Sequence, residues 1–119
     1  MNQNREQAIM NTKIEYLYRD AENYKLWDEV IVEGHLTIEQ LEPFYHEGEF
    51  FIPSVVGLND LQSEPLTVND HIWHTIELVE TTDKSPTSNI SAEKLLSNFA
   101  DAAKNDWFQA LVFKRKGLM

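Results

Sequence analysis

The stretch "DHIWH" at residues 70–74 and its near neighbours hold the side chains best suited to chemistry in this chain. His71 and His74 stand three apart, with Asp70 before them and Glu77 after them. Imidazoles and carboxylates ligate zinc and other first-row metals, and imidazole moves protons near neutral pH. Ligands at i and i+3 share a face on a helix. On a strand, side chains three apart point to opposite faces, and the pair does not close on one ion. The residues that follow are β-branched and aromatic, "IWHTIELVE" at 72–80, and predict a strand. A zinc site also needs three or four ligands, and His35 and His46 do not extend the pair in a recognisable spacing. The expectation is no metal and no cofactor. His71 and His74 should point apart, with Trp73 opposite His74 and a neutral His74 imidazole beside Ile72, Ile76 and Leu78. A small metal-dependent enzyme using His71, His74, Asp70 and Glu77 is the alternative.

Other reactions find less support. Cysteine is absent, which excludes disulfides, thiolate catalysis and Cys-based metal sites. No serine sits in a Gly-x-Ser-x-Gly elbow, and the glycines at 34, 48, 57 and 117 never cluster into a phosphate-binding loop. Two-carboxylate hydrolysis needs a cleft that holds its acids ~5–10 Å apart, and a small domain seldom has a deep one. Arg19 and Asp20 in "YRDAENY" read as surface residues rather than a functional pair. A role without catalysis is preferred.

Charge is more telling. The net charge is −10, and from Leu26 to Asp83 there are thirteen acids and neither Lys nor Arg. Such a field repels nucleic acid. The basic "KRK" at 114–116 reads as the complement to the negative end of a helix. No apolar run approaches the ~20 residues of a membrane helix, and the first residues, "MNQNREQAIMNTK", lack the apolar core of a secretory signal. A cytoplasmic protein with no membrane and no nucleic-acid partner is expected. The acids either maintain solubility or form a face for a basic protein partner, with Trp27 and Trp73 as aromatic anchors and Glu29, Glu47 and Glu49 beside them. Nothing in the sequence forbids a homo-oligomer.

The elements that must position these residues read as one α+β domain over 12–119, with 1–11 a mobile tail. Ile14, Tyr16 and Tyr18 alternate in a strand over 13–19, and 25–33 forms a second strand, the two making an antiparallel hairpin. Thr37 and Gln40 form a capping box for a short helix within 36–48, which Pro43 interrupts. "EFFIP" at 49–53 reads as a third strand ended by Pro53, 54–70 as irregular connection, and 72–80 as the fourth strand. Ser91 caps a helix over 92–103 whose stripe includes Leu95, Leu96 and Phe99, and which continues or restarts after Asn105. The predicted architecture is an antiparallel sheet of about four strands packed on this C-terminal helix. Tyr16, Tyr18, Trp27, Phe50, Phe51 and Trp73 form either one core face or an exposed aromatic platform, and the core is the preferred expectation.

The stretches "KIEYLYRDAENYKLW", "GEFFIP", "VGL" and "DHIWH", in that order, resemble a set of short bacterial proteins with similar Tyr-Arg-Asp-Ala, Gly-Glu-Phe-Phe and Trp-His stretches. The similarity spans roughly residues 13–107. It implies a domain of the same kind and brings no activity, cofactor or catalytic residue with it.

Overall fold

The structure is a computed structural model that describes residues 10–63 and 66–116. It is α+β: three antiparallel strands and four α-helical segments among the described residues. Strand β1 (Asn11–Arg19) is central, with β2 (Lys25–Val32) on one side and β3 (Thr75–Thr82) on the other. β1 and β2 form the hairpin that the alternation predicts, pairing from Thr12 with Val32 to Arg19 with Lys25. Asn11 opens β1 instead of belonging to a tail. It is buried, and its side chain donates to the Lys84 carbonyl (2.9 Å) and accepts from the Gly34 N–H (3.2 Å). Residues 1–9, the rest of the expected tail, lie outside the described residues.

Among the described residues the sheet has three strands rather than four. "EFFIP" makes only isolated bridges, Phe50 with His46 and Phe51 with His74. Pro53 does not terminate a strand but begins the helical turn α2 (Pro53–Val56), where a missing N–H costs nothing. β3 likewise starts at Thr75, not Ile72, because His74 is already engaged with Phe51 in reciprocal backbone hydrogen bonds of 2.8 and 3.0 Å. The helix around Pro43 divides as its missing N–H requires, into α1 (Ile38–Leu41) and a 3₁₀ turn over Glu42–Phe44.

Helix α3 (Ala92–Lys104) is the longest and matches its predicted signals. The Ser91 hydroxyl accepts from the Lys94 N–H at 3.1 Å, and Ala92, Leu95, Phe99 and Ala102 are buried, whereas Leu96 is only half-buried. Phe51 joins the helix to the sheet, stacked on Phe99 (5.5 Å) and edge-on to Tyr16 (5.6 Å). A turn at Asp106–Phe108 separates α3 from α4 (Gln109–Arg115). Of the six aromatics expected in the core, Tyr16, Tyr18 and Phe51 are buried, Phe50 and Trp73 are half-buried, and Trp27 is 58% exposed. No described helix is long and apolar enough to cross a membrane.

Candidate functional site

A cleft of about 580 Å³ opens between the start of β3 and the turn at 46–50. The turn itself is dictated locally. The His46 N–H donates to the Phe50 carbonyl (2.7 Å) and the Phe50 N–H returns to His46 (3.0 Å). Closing so tight a loop places Glu47 at φ 53° and Gly48 at φ 75°. Glycine adopts that region freely, while Glu47 costs about 1–2 kcal/mol there. The turn holds the His46 imidazole flat against the Trp73 indole, with centroids 4.1 Å apart and planes at 4°. Phe50 packs beside the same indole.

β3 contributes the opposite wall through an irregularity. Glu15 pairs with Leu78 but Tyr16 pairs with Ile76, which leaves Glu77 unpaired in a β-bulge. Neighbours on a regular strand face opposite ways, and a bulge re-aims one of them. Thr75, Ile76 and Glu77 consequently all line the cleft. Leu17 and Ile38 add apolar surface, and the charged lining is Asp20, Glu42, Glu49 and Glu77 against Arg19.

The four residues that suggested a metal site have other partners. The His71 Nδ1 accepts from the Trp73 N–H at 3.0 Å, and its Nε2 donates to the Arg19 carbonyl at 2.6 Å. His74 is 1% exposed, and its Nε2 accepts from the Leu61 N–H at 3.1 Å. Asp70 accepts from the Tyr18 hydroxyl and from Thr67, and the Tyr18 bond foremost holds its carboxyl below the usual range. Glu77 accepts from the Thr75 hydroxyl at 2.7 Å. The Tyr18 ring lies against both imidazoles, 5.1 Å from His71 and 5.2 Å from His74. No group of three or more His, Asp or Glu suited to a metal ion occurs among the described residues.

His74 is surrounded by Tyr16, Tyr18 and Phe51 rather than aligned along a strand with Ile72, Ile76 and Leu78. Because Nε2 is an acceptor, the proton sits on Nδ1, which makes no hydrogen bond in good geometry. Burial pushes the imidazole pKa down from 6.5 to about 4. Between those values the unfolded chain binds a proton that the folded chain refuses, so stability falls as pH drops through the window. The full loss is roughly 3 kcal/mol at about 1.4 kcal/mol per pH unit. Denaturant unfolding measured from pH 7 to pH 4 should show this slope, and His74→Gln should remove it. An equal slope in the variant would contradict the assignment.

The residues expected to bind a partner separate into two groups. Trp73 and Glu49 line the cleft, and the exposed Glu47 stands in its bordering turn, 3.7 Å from the His46 Nε2. Trp27 and Glu29 lie on β2, where Trp27 pairs with Leu17 and Glu29 faces Glu15. Leu17, which also lines the cleft, is the link between the groups. Sequence reasoning missed Glu42, Tyr45, Phe50 and His46 as cleft-forming residues. The available signal was the aromatic density of "FYHEGEFF" around a Glu-Gly turn. Ten of the twelve described acids in the 26–83 window are exposed, and among the ten only Glu80 pairs with a Lys or Arg, Lys13 at 3.0 Å.

Compared with known protein families, with curated proteins and with solved structures, the chain matches none.

Proposed function

We propose that this chain is an acidic protein-interaction module that docks a basic partner protein on the face around the Trp73 cleft. The observation that supports this most is the juxtaposition in that cleft. A half-buried indole, fixed by the His46 stack, stands beside four carboxylates, none of which forms a salt bridge among the described residues. Aromatic anchors supply most of the affinity at protein interfaces, and charge complementarity speeds encounter and discriminates between partners. A rigid indole loses little entropy on binding. The metal-dependent alternative would require His71 and His74 to give up present partners, since both His71 nitrogens and His74 Nε2 are engaged.

Selection from a displayed library of random peptides tests the reading. Enriched sequences should carry Arg or Lys, bind with one-to-one stoichiometry, and weaken by roughly tenfold with Trp73→Ala, the loss typical of an interface anchor. Enrichment of acidic or purely apolar peptides, or of none, would overturn it.

A further inference from the structure

We propose that the cleft beside Trp73 receives an arginine side chain of that basic partner, gripped by Glu42 and Glu49; this rests on the interaction reading above. The cleft's four acids are not equivalent. Asp20 accepts the backbone N–H groups of Glu22 and Tyr24 (both 2.9 Å), and Glu77 holds the Thr75 hydroxyl. Glu42 and Glu49 are exposed and have no side-chain hydrogen bond or ion pair among the described residues. They are the carboxylates open to a ligand cation. Since His46 covers one face of the indole, Trp73 offers the cleft its other face or its edge.

This combination favours guanidinium over ammonium. A guanidinium is planar and weakly hydrated, stacks on an indole, and presents five donors in one plane to carboxylates around it. A lysine ammonium is compact and strongly hydrated, and so gives up more on leaving water. The apolar lining from Leu17, Ile38 and Ile76 suits the methylene stem of the side chain. At about 580 Å³ the space exceeds a bare cation and admits the side chain together with adjoining backbone. The donor is a different protein rather than a second copy, because a second copy carries the same net charge of −10 and is repelled by this face. Two of its three arginines are also already placed, Arg19 in the cleft lining and Arg115 against Ser54 (2.7 Å) and Asp60 (3.7 Å).

The test is a nuclear magnetic resonance titration of the full chain with the amides of N-acetyl-arginine, N-acetyl-lysine and N-acetyl-citrulline. Citrulline preserves the shape of arginine and removes its charge. The three tryptophans act as separate reporters. Arginine should move the Trp73 indole resonance and leave those of Trp27 and Trp107 in place. It should bind several-fold more tightly than lysine and roughly tenfold more tightly than citrulline, and Glu42→Gln/Glu49→Gln should abolish most of that preference. Both replaced residues are exposed, so the fold is kept. Equal binding of citrulline, movement of Trp27 instead, or no movement at millimolar ligand would overturn the arginine assignment. If selected basic peptides still bind the chain in that case, the interaction reading stands and only the cleft's occupant is wrong. If no basic peptide binds, both fall.

Discussion

Trp107→Ala is expected to lower the unfolding free energy by about 3–5 kcal/mol, the range for deleting a buried large aromatic. Trp107 is 2% exposed, meets Phe99 edge-on at 5.4 Å, and donates its Nε1–H to the Phe44 carbonyl at 3.1 Å. It therefore ties the turn after α3 to the 3₁₀ segment that begins the cleft wall. Its backbone adds to the effect. Asp106, Trp107 and Phe108 have φ of 53°, 60° and 53°, three successive non-glycine residues in left-handed geometry. Each costs about 1–2 kcal/mol, and indole burial is the evident offset. Alanine at 107 keeps the strain, opens a cavity and leaves the Phe44 carbonyl without its donor. Guanidinium unfolding of the wild-type and variant chains reads the difference, and a loss under about 1 kcal/mol would show that the turn does not depend on this indole.

The second large effect is expected at Asp60. The "KRK" cations do stand at a helix end, with Lys114 and Arg115 in the last turn of α4 and Lys116 at its C-cap. Lys116 is in addition buried against the Asp60 carboxylate at 2.8 Å, with side-chain exposures of 1% and 8%. Asp60 also accepts the Ser54 N–H at 2.9 Å, inside the turn α2. Burial opposes its charge, but the Lys116 ammonium and the Ser54 donors outweigh this and hold its carboxyl below the usual value. Asp60→Ala removes the carboxylate facing a buried ammonium and should cost about 3–5 kcal/mol. Asp60→Leu/Lys116→Met should recover much of that loss, because it also removes the cation's desolvation. A double variant no more stable than Asp60→Ala would contradict the ion-pair account. The sign with pH follows from the depressed carboxyl. Its contribution is complete above the unfolded value of 3.8 and is lost as pH falls through the folded value. Acid thus weakens this pair only after the His74 window has been crossed.

Local signals were legible where local physics decides. The Ser91 cap and the Ala92–Phe99 stripe defined α3, and the Ile14–Tyr16–Tyr18 alternation defined β1. Long-range choices were not. Phe50 and Phe51 have strand propensity, but His46 and His74 take their backbone groups in single bridges and no ladder extends. The pairing of Lys116 with Asp60 spans half the chain, and neither residue type announces it. The histidines of "DHIWH" could be doubted as a site from spacing alone. Their actual partners, Arg19, Trp73 and Leu61, required the fold. Trp27 and Trp73 looked alike as anchors, and only the His46 turn and the β3 bulge separate one from the other.

The acidic face as a docking surface is tested most directly by the salt dependence of binding. The association constant of a library-selected basic peptide should fall steadily as salt is raised, since exposed charges are screened within about 10 Å at 0.1 M. The fall should be clearly shallower for Glu42→Gln/Glu49→Gln. An affinity indifferent to salt, or the same slope in wild type and variant, would contradict an interaction carried by these carboxylates.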